Sequence, residues 1–155
     1  MSVALLLLGA CEAGAPPATP AIVPGTRDAP RAVNLIARDY EFVPPTLDLV
    51  PGETIRLHVI NGGLDVHEAV IGDAAVQAAW EVAEAAAAGA PPGPTPAISV
   101  PPELAGLRVV VASGARADVD WTVPASDEPL IVGCHIPGHW DKGMRIPVRY
   151  VTTER

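Results

Sequence analysis

P-L-I-V-G-C-H-I-P-G-H-W-D-K-G-M, Pro129 to Met144, is the stretch on which the reading of this chain turns. Cys134, His139 and Met144 follow one another at five-residue intervals, so one short loop carries a thiol, an imidazole and a thioether. Apolar Leu130 to Val132 precede the loop, and Ile146, Val148 and Tyr150 alternate after it, which reads as a strand on either side. The cysteine then closes one strand, the methionine opens the next and the histidine lies near the tip. All three face one end of a β-structure. Thiolate, imidazole and thioether together form a soft donor set of the kind that suits copper.

Outward from the loop, the pattern stays that of strands. Val33, Leu35 and Ala37 alternate with polar positions, and Leu47 and Leu49 flank Asp48. Pro51-Gly52 then turns the chain into E-T-I-R-L-H-V-I. There Ile55, Leu57 and Val59 share one face and Thr54, Arg56 and His58 the other, which predicts a solvent-facing His58. Asn61-Gly62-Gly63 is a turn cluster, and His67 stands where loop gives way to strand in D-V-H-E-A-V-I-G. L-R-V-V-V-A and A-D-V-D-W-T-V add two more strands. Seven or eight strands at turn-punctuated spacing predict an all-β Greek-key sandwich.

One stretch breaks the pattern. Residues 72–89 have high helix propensity, with Asp73 as N-cap and Gly89 as stop. Val76, Trp80, Ala83 and Ala87 fall on one face, with Gln77, Glu81 and Glu84 opposite or flanking. This Ala-rich helix reads as an insertion at about 72–100, packed on the sandwich or, alternatively, presented to a partner.

At the other end of the chain, M-S-V-A-L-L-L-L-G-A-C reads as a targeting segment, residues 1–11, too short to span a bilayer as a finished helix. Leu8-Gly9-Ala10-Cys11 resembles the bacterial lipoprotein signal, which implies a lipid on Cys11 and attachment to a membrane. An ordinary signal peptide or a chance apolar start is the alternative. Residues 12–30 are Pro/Ala-rich and read as a tether of roughly 60 Å at most, from ~3.1 Å per residue. The domain proper then covers 31–155. With Cys11 lipidated or removed, Cys134 has no partner for a disulfide. An exposed lone thiol outside the cell would oxidise unless a metal held it.

At 155 residues the chain allows one domain with a core of its own. A net charge of -8 without a basic stripe argues against a nucleic-acid surface. Of the four histidines, only His58 and His67 lie outside the Cys134 loop. His67, at a strand end, is the better candidate for a fourth ligand; His58 sits mid-strand.

With the loop C-x4-H-x4-M and the upstream element N-x5-H, Asn61 to His67, the chain resembles the cupredoxins. These are small blue-copper electron-transfer proteins such as plastocyanin, azurin and auracyanin. The resemblance covers roughly Arg31 to Val151 without the insertion. It implies an eight-stranded Greek-key fold and one copper ion, cycling between Cu(I) and Cu(II), on His67, Cys134, His139 and Met144. It also implies redox partners such as a cytochrome or respiratory complex, in a bacterial extracytoplasmic setting. In many members an Asn or Ser follows the first histidine and supports the site; here Glu68 stands there.

His135, beside the cysteine, resembles a position in multicopper oxidases, but those need several H-x-H pairs and this chain has none. His135 is therefore read as a support or surface residue. Trp140 either rims His139 as a docking surface or packs on the loop. A binuclear copper centre needs two cysteines in the loop, and a zinc site gains little from a thioether. With no general base, nucleophile or substrate pocket legible, the expected role is electron carriage rather than catalysis. Copper storage or delivery with the same ligands is the alternative, and one copper site of a larger oxidoreductase a third.

Overall fold

The computed structural model describes residues 22–88 and 98–152. The stretch read as a targeting segment with Cys11, residues 12–21 of the stretch read as a tether, and residues 89–97 of the expected insertion lie outside the described residues. Among the described residues nine strands run in the order β1 (Arg31–Arg38), β2 (Glu41–Val43), β3 (Leu47–Leu49), β4 (Thr54–Asn61), β5 (His67–Gly72), then helix α1 (Ala74–Ala88). β6 (Leu107–Val111), β7 (Arg116–Thr122), β8 (Ile131–Gly133) and β9 (Arg145–Tyr150) follow. They build a four-stranded sheet, β2-β1-β4-β7, and a five-stranded sheet, β3-β9-β8-β5-β6. β1 with β4 and β3 with β9 are parallel and the other pairs antiparallel, so the sandwich is mixed rather than purely antiparallel. The strand beyond the expected seven or eight is β2, in which Phe42 is the one buried residue, so no pair of apolar positions marks a face.

Alternation does fix the core. Leu35, Ala37, Ile55, Leu57 and Val59 from one sheet meet Leu47, Leu49, Ala69, Ile71, Val132 and Ile146 from the other, all buried. β5 differs because every one of its residues is buried. Its inner face joins the main core, while Val70 on the outer face packs against Val76 and Trp80 of α1. The helix thus covers the outer side of the strand that begins with His67.

The helix starts where expected, with Asp73 Oδ1 accepting the Val76 N–H at 2.9 Å. Its buried stripe is Val76, Gln77, Trp80 and Glu84, which corrects the apolar face read from the sequence. Gln77 and Glu84 can turn inward because both find partners. The Gln77 amide nitrogen donates to the carbonyls of Val70, Gly72 and Ile131, and Glu84 accepts from Arg108. Among the described residues no helix is long and apolar enough to cross a membrane.

Gly25, within the stretch read as tether, is fastened to the domain. Its N–H donates to the buried Glu53 carboxylate and its carbonyl accepts from Thr54. Arg31 and the Val50 N–H complete that carboxylate's partners. Burial raises the Glu53 pKa, but the Arg31 guanidinium and the two N–H groups outweigh it and hold the carboxyl below its ordinary value.

Candidate metal centre

The site forms at one end of the sandwich from two separate parts of the chain. Asn61 builds the first. Its side chain donates to the carbonyls of Asp65 and Val111 and accepts the Gly63 N–H, so the loop after β4 has one shape and delivers His67 at the start of β5. The second part is the loop from β8 to β9. Cys134 N–H donates to Met144 O, Met144 N–H to His139 O, and His139 N–H to Ile136 O. This loop is therefore a closed set of turns that fixes its three sulfur- and nitrogen-bearing residues relative to one another.

His67, Cys134 and His139 converge, with one donor atom from each lying within 4.8 Å of the others. His67 Nδ1 is 3.2 Å from His139 Nδ1, which is 3.3 Å from Cys134 Sγ. All three are buried, and Met144, wholly buried, is bonded through its main chain to both Cys134 and His139. Two imidazoles and a thiol meeting in a buried site, with a thioether in the same loop, fit a soft metal ion and suit copper better than magnesium or calcium.

The electrostatics agree with a cation site. Burial pushes the Cys134 thiol up to about 11, against the lowering effect of the Glu68 and Ile136 N–H groups directed at the sulfur. Without a metal the sulfur keeps its proton at neutral pH. Burial, then the neighbouring His67, lowers the His139 pKa, which leaves that imidazole neutral with a lone pair to give. Asp39 is held ionised below the usual carboxylate range, first by the Leu64 N–H and then by His67.

The remaining sequence candidates fall elsewhere. His58 lies on the outer face of the four-stranded sheet, away from the cluster. Contrary to expectation its side chain is only 13% exposed, because Asp118 opposite it and Arg116 fold over the ring. His135 is buried but points away from the three donors, towards α1. Its Nε2 lies 2.7 Å from Gln77 Oε1 and its Nδ1 2.7 Å from Glu81 Oε2. Because the Gln77 nitrogen is committed to three carbonyls, Nε2–H must donate to Oε1. Trp140 stacks on His135, ring centroids 4.7 Å apart, so it packs on the loop. Gly133 makes this possible, since a Cβ there would collide with both Gln77 and Trp140.

Glu68 is wholly buried and joins the two halves of the site. Its Oε1 accepts the His135 N–H at 3.0 Å and its Oε2 accepts from Arg108 at 2.6 Å. Arg108 also pairs with Glu84 and lies over the Trp80 ring, 4.5 Å from its centroid. Sequence reasoning missed Arg108, Glu84 and Asp39. Nothing in their local sequence distinguishes them from surface charges.

His139 is only 6% exposed. The Tyr40 ring stands edge-on to it, centroids 5.1 Å apart, and the Lys142 ammonium lies 3.5 Å from the Tyr40 centroid. The imidazole read near the loop tip is therefore roofed by an aromatic side chain.

No family model matches the chain. It is 29% identical over 135 residues to the copper-resistant cuproprotein CopI of Pseudomonas aeruginosa, across 75% of this chain and 74% of that protein. Among solved structures it is similar to auracyanin A of Chloroflexus aurantiacus, with a TM-score of 0.61, 18% identity and coverage of 79% of this chain and all of the other. Auracyanin of Roseiflexus castenholzii gives 0.60 and 19%, across 78% of this chain and 97% of the other. An azurin of Methylomonas sp. strain J gives 0.55 and 13%, across 80% and 100%. At these identities the likenesses show the fold, and that fold is the cupredoxin sandwich.

Proposed function

We propose that this chain, a cupredoxin sandwich, holds one copper ion on His67, Cys134, His139 and Met144 and carries single electrons between extracytoplasmic redox proteins. The observation that carries the reading is the convergence of His67 Nδ1, His139 Nδ1 and Cys134 Sγ in a buried site. Copper bound there would supply a one-electron Cu(II)/Cu(I) couple. The protein's share is rigidity: the main-chain bonds among Cys134, His139 and Met144 hold the donors in one arrangement whatever the charge at the centre. The N–H groups of Glu68 and Ile136 stabilise the thiolate once its proton has left. We take the chain as a carrier rather than an enzyme, with a cytochrome or respiratory complex as partner and a lipid on Cys11 as anchor.

A second reading, copper storage or delivery, is favoured by the likeness to a copper-resistant cuproprotein. Both readings predict an intense visible thiolate–Cu(II) band when one equivalent of Cu(II) is added. Cys134→Ser should lose that band and keep the β-sandwich fold by circular dichroism. A colourless wild-type protein would refute both. Stopped-flow mixing with a reduced cytochrome then separates them: oxidation of the cytochrome without loss of the metal supports the carrier. Rapid release of copper to an apo-acceptor, with no electron exchange, supports delivery.

A further inference from the structure

We propose that Asp39 is a positioning residue of the metal centre. Its carboxylate fixes the tautomer and orientation of His67 so that Nδ1 faces the other donors, and its charge favours the more highly charged oxidation state of a bound ion. This deepens the copper reading above and rests on it.

The geometry points to Asp39 in three ways. First, His67 Nε2 lies 3.0 Å from Asp39 Oδ1. An ionised carboxylate only accepts, so Nε2 carries the proton and the Nδ1 lone pair is left free. A carboxylate behind a ligating imidazole also makes the ligand more basic. Second, the carboxylate is itself held in place, since the Leu64 and Asp65 N–H groups donate to it at 2.9 to 3.2 Å. The space it occupies exists because residue 63 is glycine; a Cβ there would strike both Asp39 Oδ1 and His67 Nε2. Third, the chain adopts an unfavourable backbone to bring it there. Tyr40 has φ 72°, a left-handed conformation that bulky residues seldom adopt. The turn between β1 and β2 thereby aims Asp39 at His67 and the Tyr40 ring at His139. Two consecutive residues, 28 and 27 positions before His67, meet both imidazoles.

The test uses the full chain, with Asp39→Asn, Asp39→Ala and, as a control carboxylate, Asp65→Asn. Asp65 accepts from the Tyr40 hydroxyl and does not touch the His67 ring in the same way, so it reports general charge near the site. Imidazole nitrogen NMR on the metal-free protein should place the His67 proton on Nε2 in the wild type and show mixed tautomers in Asp39→Ala. Asp39→Asn keeps an accepting oxygen and should keep the tautomer. Both Asp39 variants should bind Cu(II) about 10- to 100-fold more weakly, with a smaller loss for Cu(I). Each tenfold difference between the two states raises the midpoint potential by about 59 mV. An unchanged tautomer in Asp39→Ala would overturn the positioning role. An equal rise in potential in Asp65→Asn would overturn the role of the Asp39 charge. If the wild type gave no thiolate–Cu(II) band, the copper reading would fall, and the metal-free NMR result would still decide what Asp39 does to His67.

Discussion

Arg108→Met tests how far the helix and the metal centre stand as one unit. The guanidinium lies between two carboxylates, 2.6 Å from Glu68 Oε2 and 2.6 Å from Glu84 Oε1, whose side chains are 0% and 6% exposed. Methionine keeps an apolar stem but loses the guanidinium that lies over Trp80 and leaves two buried acids facing each other. Breaking a fully buried pair costs about 3–5 kcal/mol. Arg108 is itself 24% exposed, so we expect about 2–4 kcal/mol, or a Tm lower by roughly 6–12 °C at about 3 °C per kcal/mol for a domain of this size. The loss should depend on pH. Burial, and then the Glu68 charge, already raise the Glu84 pKa against the pull of Arg108. Without Arg108 it rises further. A carboxyl whose folded pKa lies above its unfolded value is least harmful below the unfolded value, and its cost grows as pH rises through the folded one. Thermal unfolding of wild type and variant at pH 5 and pH 8 should therefore show the larger deficit at pH 8, and Arg108→Met/Glu84→Gln should recover part of it. A deficit equal at both pH values, or larger at pH 5, would refute the reasoning.

Met144→Gln should keep copper bound through the other three donors while changing the midpoint potential, read by redox titration; complete loss of the metal would give the thioether a larger part. Because burial pushes the free Cys134 thiol up to about 11, a metal must displace its proton at neutral pH. Competition titrations should show affinity rising with pH, by about tenfold per unit for one proton. Glu53→Gln removes a carboxylate held below its ordinary pKa. Its stabilisation is present above the unfolded pKa and is lost as pH falls through the folded one. Urea unfolding should show a deficit of about 1–3 kcal/mol at pH 7 that shrinks below pH 4.

By itself the sequence determined much of what depends on near neighbours. Alternation placed Leu35, Ile55, Leu57 and Val59 in a core between sheets, because in a strand the side-chain direction is set by the residue's parity. Asp73 marked the start of α1 because a cap is a bond within one turn. The five-residue spacing of Cys134, His139 and Met144 showed that one loop carries all three, since their separation in space is bounded by a few turns of chain. His67 could be chosen over His58 because one stood at a strand end and the other within a strand. The tertiary structure decided what depends on residues far apart. Pairing of β5 with β8 brings His67 within reach of Cys134. The face α1 buries was set by Arg108 and the open carbonyls of β5 and β8, which offered Gln77 and Glu84 partners and so made polar side chains cheaper to bury than the helix's own periodicity implied. Asp39 became part of the centre only through a turn between two other strands. No local pattern encodes such a contact, because its free energy arises when the chain closes and the partners meet.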